Sequence, residues 1–284
     1  MRNAIVVFTK VPKTGVTKTR LTMERGGILT PEEARLLYEA CLLDVIDACV
    51  SSDSGDLYIC HDKDGDRDYL KRLLGGMSSP RAVTEITEDR GGTFDQCIQY
   101  AADYILKDGG DDRLADSVMI IGGDLPSLQP AVVRQAAEKI QQLSASAAGK
   151  AAMTGSVFHA NGVGAAIVES ACQEGGFSII GYTYTTPFKF DGVFYNMGGV
   201  TALDALANKA AEQDIPLGVV EMVPDVDIPA DLGSLIPVLR ILQQAARYDA
   251  TIQLPKRTIN ILQELGLEST ATLPQCDQDC AINK

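Results

Sequence analysis

The chain has 284 residues, 45% of them apolar, enough for one large domain or a domain with an appendage. Its 25 Lys and Arg against 38 Asp and Glu leave a net charge of −13, which excludes general attraction to nucleic acid or anionic membrane, because a polyanion is repelled over most of the surface. No apolar run approaches the ~20 residues of a membrane span, and the first ten residues lack the features of a signal peptide, so a cytoplasmic location is expected.

The first element is the strand "NAIVVFT", which breaks into a Pro- and Gly-containing loop carrying Lys10, Lys13, Lys18 and Arg20. A helix follows: Thr30, Pro31 and Glu33 form a capping-box start, and Ala34, Leu37, Cys41, Val45 and Ala48 repeat at three- and four-residue spacing. Strands "DLYIC", "RAVTEIT" and "SVMIIGG" then alternate with helical segments over 93–106 and 130–143, the signature of an α/β domain with a mostly parallel, doubly wound sheet. From Ala151 to Val223 the strands become shorter and Gly/Thr-rich ("AAMTGS", "GVGAAIVE", "YTYTTPFKF"), which predicts a smaller mixed-sheet extension walling a pocket. Further helices are predicted over 199–213 and 230–248.

This reading gives one domain over 1–250, in two halves (1–150 and 151–235). A C-terminal helix ("TINILQELG") and polar tail occupy 251–284. The seven cysteines are odd in number and lack paired metal spacing, so most are expected to be reduced core residues. Cys276 and Cys280, in "CDQDC", fall on the tail, where a disordered end competes with pairing or metal binding. His61, amid "CHDKDGD", is expected to be exposed, and neither it nor His159 has triad or metal spacing.

A loop leaving the C-terminal edge of a first parallel strand lies where open α/β sheets bind ligands, and Pro12 and Gly15 let it turn tightly around an anion. Lys18 would meet phosphate as a point charge and Arg20 as a planar fork; the alternative is a solvated basic turn. Neither a P-loop nor a G-x-G-x-x-G fingerprint is present.

Opposing this loop, "VMIIGGDLPSL" ends a buried strand with Asp124, a fitting ligand for Mg²⁺ arriving with a triphosphate or nucleotide-sugar, or else a turn cap. A second acidic pair, Asp225 and Asp227 in "PDVDIPADL", precedes a helix that either Asp227 or Asp231 could cap. Two carboxylates from separate segments hold a metal better than one. Gly91 and Gly92 open a helix where backbone can approach a base or ribose, or simply make the helix-entry turn. Asn161 and Gly162 could contact an acceptor, or form an Asn-Gly hairpin turn.

The run "K-x-P-x-x-G-x-x-K-T-R-L" from Lys10 to Leu21, followed by "PEEARLLYEACLLDVI", resembles a family of bacterial glycosyltransferase-like proteins within the GT-A-fold nucleotide-diphospho-sugar transferase superfamily. It is also similar to the "KTRL" element of the 2-phospho-lactate guanylyltransferases. The likeness spans residues 4–235, with three short specific motifs. It implies a GT-A-like fold, a metal-binding Asp124 in a "GxDxPxL" form, and a second metal ligand at Asp227 with Asp225 in reserve. Ile228 and Ala230 stand where the related "D-x-D-T-P-E-D-L" element has Thr and Glu.

The expected activity is Mg-dependent nucleotidyl transfer from a nucleoside triphosphate to a small phosphorylated acceptor. Phe8, Lys10, Gly15, Lys18, Arg20, Gly91 and Gly92 would bind the donor, and Lys18, Arg20 and Asp124 would serve catalysis. Glycosyl transfer from a nucleotide-sugar is the alternative: the "D-G-G-Y/F" acceptor segment of the glycosyltransferase-like group is missing, and "HANGVGAAIVE" is distantly like the guanylyltransferase segment. A non-catalytic nucleotide-binding protein is a third possibility. No nucleic acid or membrane span is expected, and the base, acceptor and oligomeric state are not legible.

Overall fold

The computed structural model describes residues 1–77, 79, 82–154 and 162–268. Its centre is a seven-stranded sheet of order β3-β2-β1-β4-β6-β5-β7. The strands are β1 (Asn3–Thr9), β2 (Asp56–His61), β3 (Val83–Glu88), β4 (Ser117–Gly122), β5 (Ile167–Ala171), β6 (Phe177–Thr183) and β7 (Leu217–Val219). β6 alone runs against the others: it pairs antiparallel with β4 and β5, while all remaining pairs are parallel. Six C-terminal strand ends therefore share one edge.

The helices are α1 (Pro31–Ser52), α2 (Arg67–Leu74), α3 (Phe94–Leu106), α4 (Pro130–Ala145), α5 (Ala147–Ala152), α6 (Ala202–Glu212), α7 (Pro229–Ala245) and α8 (Lys256–Glu264). Alternation along β1 splits the core by pleat. Ile5 and Val7 face one layer with Leu42 and Ile46 of α1 and Val133 and Ile140 of α4, while Ala4 and Val6 face the other with Ile98 and Ala102 of α3 and Leu206 of α6.

The capping box of α1 forms as its sequence predicts, with Thr30 and Glu33 satisfying each other's backbone N–H groups. All five stripe positions of α1 are buried. In the mixed region the strand lies earlier than expected, at Phe177–Thr183. The following Tyr184–Phe190 stretch is irregular, and Phe188 and Phe190 fold back into the core. Ala151 and Ala152 end α5, not a strand. The short helix α2, unforeseen, is capped by Asp66, whose carboxylate accepts from the Asp68 and Tyr69 backbone.

A third apolar cluster joins distant parts of the chain: Leu21 and Leu29 from the opening loop, Leu37 and Cys41 of α1, Val226, Leu232 and Leu235 at the start of α7, and Ile259 and Leu262 of α8. The C-terminal helix thus belongs to the same packed body. Arg257 holds it down, reaching Asp44 at 3.1 Å and Asp47 at 2.8 Å on α1, while the Thr258 N–H donates to Asp44 at 2.8 Å.

Candidate active site

The loop after β1 is shaped by its own bonds. The Val16 and Thr17 N–H groups both donate to the Lys13 carbonyl at 3.1 Å, the buried Thr17 hydroxyl accepts from the Lys13 N–H, and Gly15 takes φ +73° at the exposed tip. Lys18 also occupies the left-handed region, at φ 52° and ψ 36°, an uncommon place for a residue with a side chain. A short 3₁₀ turn, Thr19–Leu21, follows and drops Leu21 into the third cluster.

This geometry sends Lys18 inward. Its side chain is 9% exposed, and its ammonium lies 2.5 Å from Asp124 Oδ2 and 2.6 Å from Asp227 Oδ1. Arg20 is exposed, with its guanidinium 3.5 Å from the other oxygen of Asp227. The carboxylates reach this point by different routes. Asp124 follows β4 directly, where Gly123 allows close approach: a Cβ there would come within 2.9 Å of Leu42, 3.0 Å of the Thr9 hydroxyl and 3.2 Å of the Tyr38 hydroxyl.

Asp225 and Asp227 flank Val226, which is buried in the third cluster beside Leu21. The choice of cap for α7 falls on Asp231. Its Oδ2 accepts from the backbone N–H groups of Asp227 and Ile228, both at 2.8 Å, leaving the Asp227 carboxylate for Lys18.

The electrostatics follow from this packing. Burial by itself would lower the Lys18 pKa, but Asp124 and then Asp227 outweigh it and drive the ammonium well above its ordinary value, so it stays charged. Burial works against ionisation of Asp227, yet Lys18, Arg20 and Lys10 together hold its pKa below the usual carboxylate range. Burial, reinforced by Asp124 and Asp227, pushes Asp225 up to about 6. Behind Lys18, Tyr38 of α1 places its ring 5.4 Å from the ammonium and shares a 2.6 Å hydrogen bond with Thr9, the last residue of β1.

Lys10, Lys18, Arg20, Asp124, Asp225 and Asp227 thus gather at one edge of the sheet. Phe8 points to the opposite layer, where its ring meets Phe94 at 5.7 Å; Phe94, 41% exposed, in turn meets Phe194 and the exposed Tyr195. Gly91 and Gly92 serve the entry of α3. A Cβ on Gly91 would crowd the Cys97 backbone at 2.8 Å, and the Gly92 N–H donates to Gln96 at 2.8 Å. Gly162 is an exposed turn residue at φ +77°. Asn161, His159, Cys276 and Cys280 lie outside the described residues.

His61 is not exposed. It ends β2 two residues beyond Ile59, on the α1 face, where it is 1% exposed and its Nδ1 lies 2.8 Å from the Asp62 carbonyl oxygen. Sequence reasoning also missed Tyr38, indistinguishable from a core residue of the α1 stripe, and Gln173. The Gln173 amide accepts from the Asp225 N–H and donates to the Asp225 carbonyl, fixing the acidic segment to the end of β5.

Among the described residues no three of His, Cys, Asp and Glu converge as a metal-holding group. Two hard carboxylate oxygens do converge on one cation, the Lys18 ammonium, and Mg²⁺ asks the protein for only one or two carboxylates beside phosphate and water oxygens. In donor chemistry the pair Asp124 and Asp227 suits such an ion.

The order 3-2-1-4-6-5-7 with a single reversed strand puts acidic and basic groups together at the C-terminal edge of the sheet, where open α/β sheets bind ligands. Residues 45–197, more than half of the chain, match the family described as "Uncharacterized protein conserved in bacteria (DUF2064)", and the chain belongs to that family. A solved structure from Desulfovibrio desulfuricans G20, provisionally described as a nucleotide-diphospho-sugar transferase, shares the fold at TM-score 0.64 and 19% identity, covering 93% of this chain and 98% of the other.

Two further structures are more distant. A cytidylyltransferase from Leptospira borgpetersenii matches at TM-score 0.49 and 10% identity over 96% of this chain and 100% of its own. The 4-diphosphocytidyl-2C-methyl-D-erythritol synthase of Anaerococcus prevotii matches at 0.45 and 12%, over 85% and 96%. No curated protein matches the sequence. Among the described residues no helix is long and apolar enough to cross a membrane.

Proposed function

We propose that this protein is a Mg-dependent nucleotide-using transferase, most simply a nucleotidyltransferase that joins a nucleoside monophosphate from its triphosphate to a small phosphorylated acceptor. The observation that carries this reading is the contact of one buried ammonium with Asp124 and Asp227 at 2.5 and 2.6 Å, beside Arg20, at the C-terminal edge of the sheet. A cation and two carboxylates so placed suit a phosphate chain and its counter-ion.

Asp124 and Asp227 would hold the metal, which when bound neutralises charge on the donor phosphates. Lys18 and Arg20 would bind the α-phosphate and the departing pyrophosphate, Lys as a mobile point charge and Arg as a fork. The acceptor's phosphate oxygen attacks the α-phosphorus in line, and the bond to pyrophosphate breaks. That oxygen is already anionic, so no protein base is required.

Glycosyl transfer from a nucleotide-sugar is a second reading, supported by the description given to the Desulfovibrio neighbour. It uses the same carboxylates to hold a departing nucleoside diphosphate. A thermal-shift panel of nucleoside triphosphates and nucleotide-sugars, with and without Mg²⁺, identifies the donor class through linkage. Analysis of the released product then separates pyrophosphate from nucleoside diphosphate. Stabilisation that persists unchanged in Lys18→Ala and Asp124→Ala would overturn the proposal. Binding without Mg²⁺ dependence, and without product across an acceptor panel, would indicate a non-catalytic nucleotide-binding protein.

A further inference from the structure

We propose that Lys18 is a resident counter-ion that keeps the Asp124–Asp227 pair closed to free divalent cations and yields it only when a polyphosphate draws the ammonium away. This rests on the transferase reading and adds an order to it: metal enters with the donor's phosphates rather than ahead of them.

The geometry is that of a latch. One ammonium bonds both carboxylates, at 2.5 and 2.6 Å, and the remaining oxygen of Asp227 faces Arg20 at 3.5 Å, so both Asp227 oxygens already meet a cation. A metal ion bound at Asp124 Oδ2 and Asp227 Oδ1 would occupy the position of the ammonium, since hard-cation ligand distances leave no room for both. A free metal must therefore displace a positive charge bonded to both carboxylates and brings no anion of its own to receive it. A metal bound to polyphosphate brings that anion along, and the flexible stem of Lys18 lets its charge move from carboxylate to phosphate oxygens. When the phosphates depart, the ammonium returns and disfavours metal left behind.

Pre-occupation of this kind scales apparent affinity down to the intrinsic affinity multiplied by the open fraction. The rest of the loop supports a side chain that swings while its backbone stays put. Thr17 is buried and tied to Lys13, and Leu21 is anchored in the third cluster, so the residues on either side of Lys18 are fixed.

The test is binding of Mn²⁺ alone to the full chain, followed by electron paramagnetic resonance. Lys18→Gln should bind Mn²⁺ about tenfold or more tighter than wild type. Lys18→Arg should remain as weak as wild type, and adding Asp124→Asn to Lys18→Gln should abolish the gain. Should Lys18→Gln not fold, the wild-type protein carries the test by nuclear magnetic resonance of the Lys18 side chain, assigned against Lys18→Arg. Its signal should shift on adding Mg²⁺ with pyrophosphate and stay in place with Mg²⁺ alone.

Equal affinity in wild type and Lys18→Gln, or displacement of Lys18 by Mg²⁺ alone, would overturn the latch. If wild type binds Mn²⁺ tightly through Asp124, only the latch fails and the transferase reading stands. If Asp124→Asn leaves Mn²⁺ binding unchanged even with a nucleoside triphosphate present, the metal-dependent reading of the site falls too.

Discussion

The Lys18 ammonium meets the Asp227 carboxylate at 2.6 Å across 209 residues of sequence. The basic loop and the late acidic motif are therefore two halves of one feature. Each is brought to the other by a buried neighbour, Leu21 and Val226, packed in the same apolar cluster.

Asp124→Asn and Asp227→Asn should each reduce turnover about 100-fold and weaken its dependence on Mg²⁺, as expected when a group serving transition-state charge is removed. Asp225→Asn should do much less, since its segment is held by Gln173 through the backbone. Steady-state rates against Mg²⁺ concentration check the ranking; an Asp225→Asn defect as deep as that of Asp124→Asn would reassign the ligands.

Arg20→Ala should separate binding from stability. The side chain is 60% exposed and its contact with Asp227 is 3.5 Å, so the melting temperature should hardly move. Donor affinity should fall about tenfold, because a charge-assisted phosphate contact is lost. Calorimetric titration beside thermal melting reads both.

Gly123→Ala should destabilise the fold by about 1–3 kcal/mol through overpacking, because its Cβ would press on Leu42, Thr9 and Tyr38 together. Tyr38→Phe should cost about 1 kcal/mol for the hydroxyl shared with Thr9. Both effects are measurable as shifts in urea midpoint.

Glu169 on β5 is buried, and its Oε2 has no hydrogen-bond partner among the described residues. Burial raises its carboxyl pKa, so the folded state holds the proton more tightly than the unfolded chain does. Its charge thus costs nothing below the unfolded value, and stability is lost as pH rises through the folded value. Glu169→Gln should flatten this decline and stabilise the protein by about 1 kcal/mol near pH 8, with little change near pH 4. Melting curves across that range decide it; a larger pH-dependent loss in the variant would contradict the assignment.

Apart from α2, the elements of the parallel half were legible because they obey local rules. The capping box at Thr30, the α1 stripe and the Gly-Gly-Asp ending of β4 all stand where their spacing predicts. The mixed half was harder. "FSIIGYT" is a strand through its pairing with β4 and β5, whereas Phe188 and Phe190 of the stretch that follows pack into the core without joining the sheet. His61 was misjudged from its polar neighbours, whereas its position as the last residue of β2 puts it on the packed face. Whether Asp227 or Asp231 capped α7 could not be read from composition, since both lie within reach; the structure decides it by curling Asp231 back onto the backbone.

The separation between Lys18 and Asp227 also bears on how the protein is made. A ribosome releases the cationic loop 209 residues before its acidic partner, and a contact so distant in sequence cannot close until both have emerged. A nascent fragment ending before Val226 would carry the strands of the sheet yet leave Lys18 with one of its two carboxylates missing. The cluster should thus close abruptly once Asp227 has emerged rather than build up gradually.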